Sequence, residues 1–176
     1  MRSRRRPRKP MDENELYDYA IAVLGRRMRS VAELKRLLRN RVAEEAGEPM
    51  IERVVARLKE RKYLNDAAYA SAYSSFRRDN EKFGRRRVVS ELKARGVHGE
   101  VIEQAVTAAY SEVKEEDLAR DFLRRKRVSA PVDQRSAARV FRMMARAGFS
   151  SRVIIRILKN WNVDDETLSQ LESEQE

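Results

Sequence analysis

The chain has 176 residues, 38% of them charged and 7% aromatic, and a formal net charge of +11. Such a composition allows one or two thinly cored domains, and 30 Arg with 9 Lys against 28 acids favours polyanionic partners, chiefly nucleic acid. The absence of Cys excludes disulfides and Cys-based zinc sites, and no apolar run approaches the ~20 residues of a membrane helix, so a cytoplasmic protein with no membrane contact is expected.

Residues 1–12, rich in Arg and Lys and interrupted by Pro7 and Pro10, read as a basic disordered tail. The following MDENELYDYAIAVLG is acidic and only then briefly apolar, unlike the core of an export signal. From there to about residue 162 apolar positions recur every three or four residues, strand alternation is absent, and Gly and Pro number only six and four. Leu16, Tyr17, Ala20 and Leu24 share one face of a helix over about 14–27. Ser30 and Glu33 form a capping-box signature ahead of Leu34, Leu37 and Leu38. A third helix, about 50–63, carries Ile51, Val55 and Leu58. Asn65 or Asp66 caps a helix over 66–79 with Tyr69, Tyr73 and Phe76 turned inward, and a further helix is expected over 115–127. From Val163 six acids and no base read as a frayed turn followed by an acidic tail, 163–176.

Three segments align without gaps: ELKRLLRNRV (33–42), VVSELKARGV (88–97) and VFRMMARAGF (140–149). Leu34, Val89 and Phe141 coincide, as do Leu37, Leu92 and Met144. Ile51, Val55 and Leu58 match Ile102, Val106 and Ala109, then Ile154, Leu158 and Trp161. The first copy carries a four-residue insertion within AEEAGE. Gly96 and Gly148 fit helix-ending positions in a left-handed conformation, whereas Arg41 holds that place in the first copy, so its turn should differ. The fold expected is all-α: three tandem three-helix repeats, 13–64, 65–113 and 114–162, in an elongated, curved arrangement.

The order YLNDAAYASAY (63–73), KFGRRRVVSELKARGV (82–97), VIEQAV (101–106) resembles the RecX family of bacterial regulators of the RecA recombinase. The residues that carry it are Leu64, Asp66, Tyr69 and Ala70, then Gly84, Arg87, Val88, Glu91, Leu92, Arg95, Gly96 and Val97; LGRRMRSVAELKRLL (24–38) resembles the family's opening repeat. The resemblance covers roughly 14–161 and departs at Arg41 and the AEEAGE insertion. It implies a non-enzymatic protein that lies in the groove of RecA–DNA filaments and restrains strand exchange and ATP hydrolysis, in DNA repair, recombination and the SOS response.

The arginine pattern supports binding without that resemblance. Arg135, Arg139, Arg142 and Arg146 fall on one stripe of a helix, with Phe141 and Met144 on the other side. Arg152, Arg156 and Lys159 repeat the device on the next helix. Lys82, Arg86 and Lys93 lie near one face in the middle copy, flanked by Arg85 and Arg87, and Arg124, Arg125 and Lys126 crowd a helix end. Like charges four residues apart destabilise a helix by about 0.2–0.5 kcal/mol per pair, and residues 134–163 contain no acid to relieve them. An external polyanion would, and the planar Arg fork suits phosphate or carboxylate. The helix starts at Gly84–Arg87 and Ser150–Arg152 are capping sites before they are anion sites. Helix-turn-helix readout is disfavoured, because the third helices offer only Gln104 and Asn160 to base edges.

Catalysis finds no support: His98 is a loop residue, Asp66 a cap, and adjacent acids such as Glu44–Glu45 diverge on a helix. Tyr63, Tyr69, Tyr73 and Trp161 occupy core spacing rather than a base-stacking array. The expectation is a monomer that needs no cofactor or metal and binds the RecA filament and DNA backbone through Arg85, Arg86, Arg87, Lys93, Arg124, Arg125, Lys126, Arg135, Arg139, Arg142, Arg146, Arg152 and Arg156. The rival readings are a sequence-independent architectural DNA-binding protein without RecA, and a helical partner of other acidic proteins.

Overall fold

The computed structural model describes residues 10–43 and 47–173. The disorder expected of the basic head falls on 1–9, outside the described residues, as do Glu44, Glu45 and Ala46 of the insertion and the last three residues of the acidic tail. The described residues form ten α-helices and no strand: α1 (Glu13–Leu24), α2 (Val31–Arg39), α3 (Gly47–Glu60), α4 (Asp66–Asp79), α5 (Arg85–Ala94), α6 (Gly99–Tyr110), α7 (Glu115–Arg125), α8 (Gln134–Arg146), α9 (Ser151–Asn160) and α10 (Asp165–Ser173). The described residues fall into two compact units, one within 10–69 joined by Ala94–His98, the other Ala70–Lys93 with 99–173.

In the first unit the apolar stripes of α1, α2 and α3 close on one another. Leu16, Tyr17, Ala20 and Val23 meet Leu34, Leu38, Ile51, Val54, Val55, Leu58 and Leu64, all buried; Leu24 and Leu37 are only partly covered. Each full burial of a Leu or Ile contributes about 1.5–3 kcal/mol. Two reciprocal caps start the helices, Asp12 with Glu15 and Ser30 with Glu33, the second as the sequence predicts. Met11 N–H also donates to the Arg41 carbonyl (2.8 Å), so Met11 and Asp12 belong to the fold and not to a tail.

The second unit is cored by Leu118, Phe122, Leu123, Val140, Phe141, Met144, Phe149, Ile154, Ile157 and Leu158. Leu168 and Leu171 join this cluster at 4% exposure each, so α10 docks on α8 and α9 where sequence reading expects a frayed turn and a solvated tail. The acids of 164–166 sit in its cap and first turn, where negative charge suits the helix dipole, and they mask the two leucines in a reading by composition. Burial also corrects Phe76 and Tyr63, which are 53% and 57% exposed. In α4 the covered line runs through Tyr69, Ala70 and Ser74 instead.

The buried pairs set the register of the copies. Leu34 and Leu38, Val88 and Leu92, and Val140 and Met144 are equivalent, each i and i+4 on its helix. Ser30 therefore matches Gly84, one residue away from the gapless alignment of the first and second copies. Adjacent Leu37 and Leu38 make both registers plausible in sequence, and burial decides between them.

One helix-end contact recurs inside each unit. Ser30 Oγ donates to the Arg95 carbonyl (2.6 Å), and Gly84 N–H donates to the Ala147 carbonyl (2.8 Å). Each joins the positive start of one helix to the negative end of another, a favourable dipole arrangement. The turns that present those carbonyls need Gly96 (φ +74°) and Gly148 (φ +93°) in the left-handed region, as expected. A Cβ on Gly84 would fall on the Gly148 carbonyl, and one on Gly148 on the Arg87 backbone. In the first copy Asn40 ends α2 at φ −76°, and Arg41 N–H donates to the Leu38 carbonyl (2.8 Å), so this turn does differ.

Candidate functional site

Helix α8 buries Ala137, Val140, Phe141 and Met144 and turns Arg135, Arg139, Arg142 and Arg146 outward. All four arginines are exposed, and none makes an ion pair with a described residue. Asp133, Arg135, Ser136, Arg139 and Arg142 line one shallow depression. Its acid is engaged: Asp133 Oδ1 accepts from Ser136 N–H (2.6 Å), and the Ser136 hydroxyl and N–H, with Arg135 and Arg139 nearby, hold the carboxyl below its ordinary pKa. Four guanidinium groups therefore stand in a row with no ion pair among the described residues to relieve their mutual repulsion.

The next helix differs. Arg156 Nη1 donates to Glu116 (3.0 Å), a carboxylate shared with Arg120, and Lys159 pairs with Asp165 (3.0 Å). Arg152 is exposed without an ion pair among the described residues, but it shares a depression with Glu115, Glu116 and Asp117. The acids missing from 134–163 arrive from α7 and α10, so two of the three cations of α9 are paired, whereas none of the α8 row is among the described residues. At the end of α7, Arg124 pairs with Asp121 (3.2 Å), Arg125 with Glu81 (3.3 Å), and Lys126 lies over the Phe122 ring (6.0 Å).

In the middle copy Arg86 and Lys93 are exposed without ion pairs among the described residues. Arg85 is tied to Glu103 (2.5 Å) and Thr107 (2.9 Å). Arg87 is structural: it pairs with Glu91 (2.8 Å), donates to the Arg146 carbonyl (3.0 Å) and faces the Phe83 ring (5.1 Å). Glu91 is the hub, accepting also from Tyr73 Oη (2.7 Å) and twice from Arg77 (2.9 and 3.1 Å). Burial pushes its carboxyl pKa up, but hydrogen bonds from Tyr73, Arg87 and Arg77 outweigh that and leave it lowered. Sequence reading places Glu91 in a motif without a role, because two of its three partners, Tyr73 and Arg77, lie eighteen and fourteen residues away on α4.

The helix starts are filled from within. Ser150 N–H and Oγ donate to the two oxygens of Glu115 (2.6 and 2.9 Å), and Val31 N–H donates to Asp66 (2.8 Å). Asn65, not Asp66, caps α4 by accepting from Ala68 N–H (3.0 Å). His98 is exposed beyond the Gly96 turn. Among the described residues no group of three or more His, Cys, Asp or Glu is placed to hold a metal ion, and no helix is long and apolar enough to cross a membrane.

Comparison with known proteins bears on most of the chain. The family model for RecX, second three-helix domain, matches residues 65–106. Among relatives, the Regulatory protein RecX of Leptothrix cholodnii is 36% identical over 141 residues, covering 80% of this chain and 85% of its own. That of Streptomyces coelicolor is 31% identical over 156 residues, covering 87% and 79%. The crystal structure of RecX from Lactobacillus salivarius has the same fold, with a TM-score of 0.68 at 18% identity over 85% of this chain and 96% of that one. A second crystal structure, of a regulatory protein RecX, gives 0.70 at 21% identity over 84% and 73%. With this helix order, and with relatives above 30% identity along most of both lengths, the chain belongs to the RecX family of regulatory proteins.

Proposed function

We propose that this chain regulates the RecA recombinase by binding DNA-bound RecA filaments, with α8 as a principal contact. The observation that carries this reading is the row Arg135, Arg139, Arg142 and Arg146, exposed and without an ion pair among the described residues. A filament of protein on nucleic acid offers both ligands that relieve such a row, backbone phosphate and surface carboxylate. Arg86, Lys93 and Arg152 extend the cationic surface; Arg85, Arg87, Arg124, Arg125, Lys126 and Arg156 act chiefly through the fold or as a screened rim. Contacts to phosphate need no base sequence. In this reading the protein acts as a cytoplasmic monomer without a cofactor, bridges neighbouring filament subunits, and so slows ATP hydrolysis and strand exchange.

The test is the rate of DNA-dependent ATP hydrolysis by RecA as the protein is titrated in at low salt. A saturable fall in rate is expected, and an unchanged rate at saturation removes the reading. The surplus of +11 also favours plain DNA binding. Co-sedimentation decides: equal retention on naked DNA and on filaments would favour an architectural DNA-binding protein.

A further inference from the structure

The connection into α8 is longer than its counterparts, spanning 126–133 against 25–30 and 80–84. Val128 packs against the core, but Val132 does not. Val132 is 93% exposed, the most exposed of the large apolar side chains among the described residues. Nor is the loop slack: Val132 N–H and Asp133 N–H both donate to Ser136 Oγ (3.1 Å each), and Val128 N–H closes the end of α7 on the Leu123 carbonyl (3.0 Å). Val128, Val132, Val140 and Met143 line a hollow against the side of α8, with Arg127 and Arg139 among its polar lining. Arg139 belongs to the cationic row as well, so the hollow and the row form one surface.

A phosphate backbone has no use for an apolar hollow. A protein segment that carries carboxylates beside one large apolar side chain satisfies both halves: the side chain fills the hollow and the carboxylates pair with Arg139, Arg142 and Arg135. We infer that the α8 surface docks an acidic protein segment through an aliphatic or aromatic anchor seated beside Val132. The four arginines, with Asp133 already engaged in its own cap, supply the charge complementarity that selects this occupant. The loop is fastened before binding, so little ordering remains when the anchor enters.

This inference rests on the RecA reading above and names what α8 meets there, the protein of the filament and not its DNA. Val132→Ser removes the apolar group without adding charge and, at so exposed a position, leaves the fold intact. The experiment measures affinity for RecA–single-stranded DNA filaments, formed with a non-hydrolysable ATP analogue, and for the same DNA alone. Val132→Ser should weaken filament binding about five- to tenfold and leave affinity for naked DNA unchanged, and Val132→Leu should retain or strengthen filament binding. Unchanged filament binding by Val132→Ser, while Arg139→Ala with Arg142→Ala loses it, overturns the anchor and spares the RecA reading. Equal losses on filament and naked DNA mean that the hollow receives a base, which also overturns the inference. No binding of wild-type protein to filaments removes the RecA reading itself.

Discussion

Replacing Gly84 by Ala probes the helix-end contact of the second unit. The new Cβ would lie inside the 3.0 Å that real Cβ atoms keep from the Gly148 carbonyl and the Phe149 nitrogen, which are backbone atoms unable to rotate away. The start of α5 must then part from the Gly148 turn. That breaks the Gly84–Ala147 hydrogen bond (2.8 Å) and strains the Arg87 bond to the Arg146 carbonyl (3.0 Å). The first is worth about 1 kcal/mol and the second, to a charged donor, about 1.5–3. Forced overpacking adds about 1–3 kcal/mol, and the smaller unfolded-state entropy of Ala returns about 0.4–1. A net loss of about 2.5–6.5 kcal/mol is a large part of a typical stability of about 5–15. Gly99→Ala is the control, because a Cβ there meets nothing within 4 Å at the first position of α6, and it should be neutral or slightly stabilising. Urea denaturation followed by circular dichroism reads both. A Gly84→Ala loss below about 1 kcal/mol would mean that the close approach does not hold the unit together.

Three further outcomes follow from the packing. Glu91→Gln leaves Arg77 and Arg87 without their carboxylate partner at a site only 16% exposed, and should cost about 2–4 kcal/mol in the same denaturation assay at pH 7. Folding lowers the Glu91 pKa, so its contribution is complete above the ordinary value of about 4.3 and disappears as pH falls through the lower folded value. The difference between wild type and Glu91→Gln should therefore shrink towards pH 3; a constant gap would contradict the network. Leu168→Ala should cost about 2–4 kcal/mol in thermal unfolding because α10 is docked, whereas a solvated tail would give no change. Ser30→Ala removes the α2 cap and the bond to the Arg95 carbonyl together and should cost about 2 kcal/mol, read as a lower urea midpoint.

Helical periodicity made the all-α fold and most helix bounds legible, because apolar spacing and caps act within one turn. Gly96 and Gly148 were legible for the same reason: a left-handed residue at a helix end is a local demand. Adjacent leucines at 37 and 38 leave the register of α2 open by one residue, and only packing selects Leu38. In α10, two leucines among acids read as tail until the face of α8 and α9 that covers them is known. The cationic surface shows the same limit. An acid-free run identifies α8 and α9 equally, but Glu116 and Asp165 come from other helices and neutralise only α9. Arg87 sits in a run of three arginines, yet Phe83, Glu91 and the Arg146 carbonyl make it a fold residue. Charge is visible in a sequence; whether that charge is already paired depends on tertiary contacts.

The claim most in need of trial is that the α8 row grips an external polyanion. The direct measurement is the affinity of Arg139→Ala/Arg142→Ala/Arg146→Ala for RecA–DNA filaments at fixed ionic strength, beside its helical content. Removing three exposed guanidinium groups, none of which makes an ion pair among the described residues, should leave the circular dichroism spectrum unchanged and weaken binding by about 30-fold or more. Wild-type affinity in a fully helical triple variant would contradict the account.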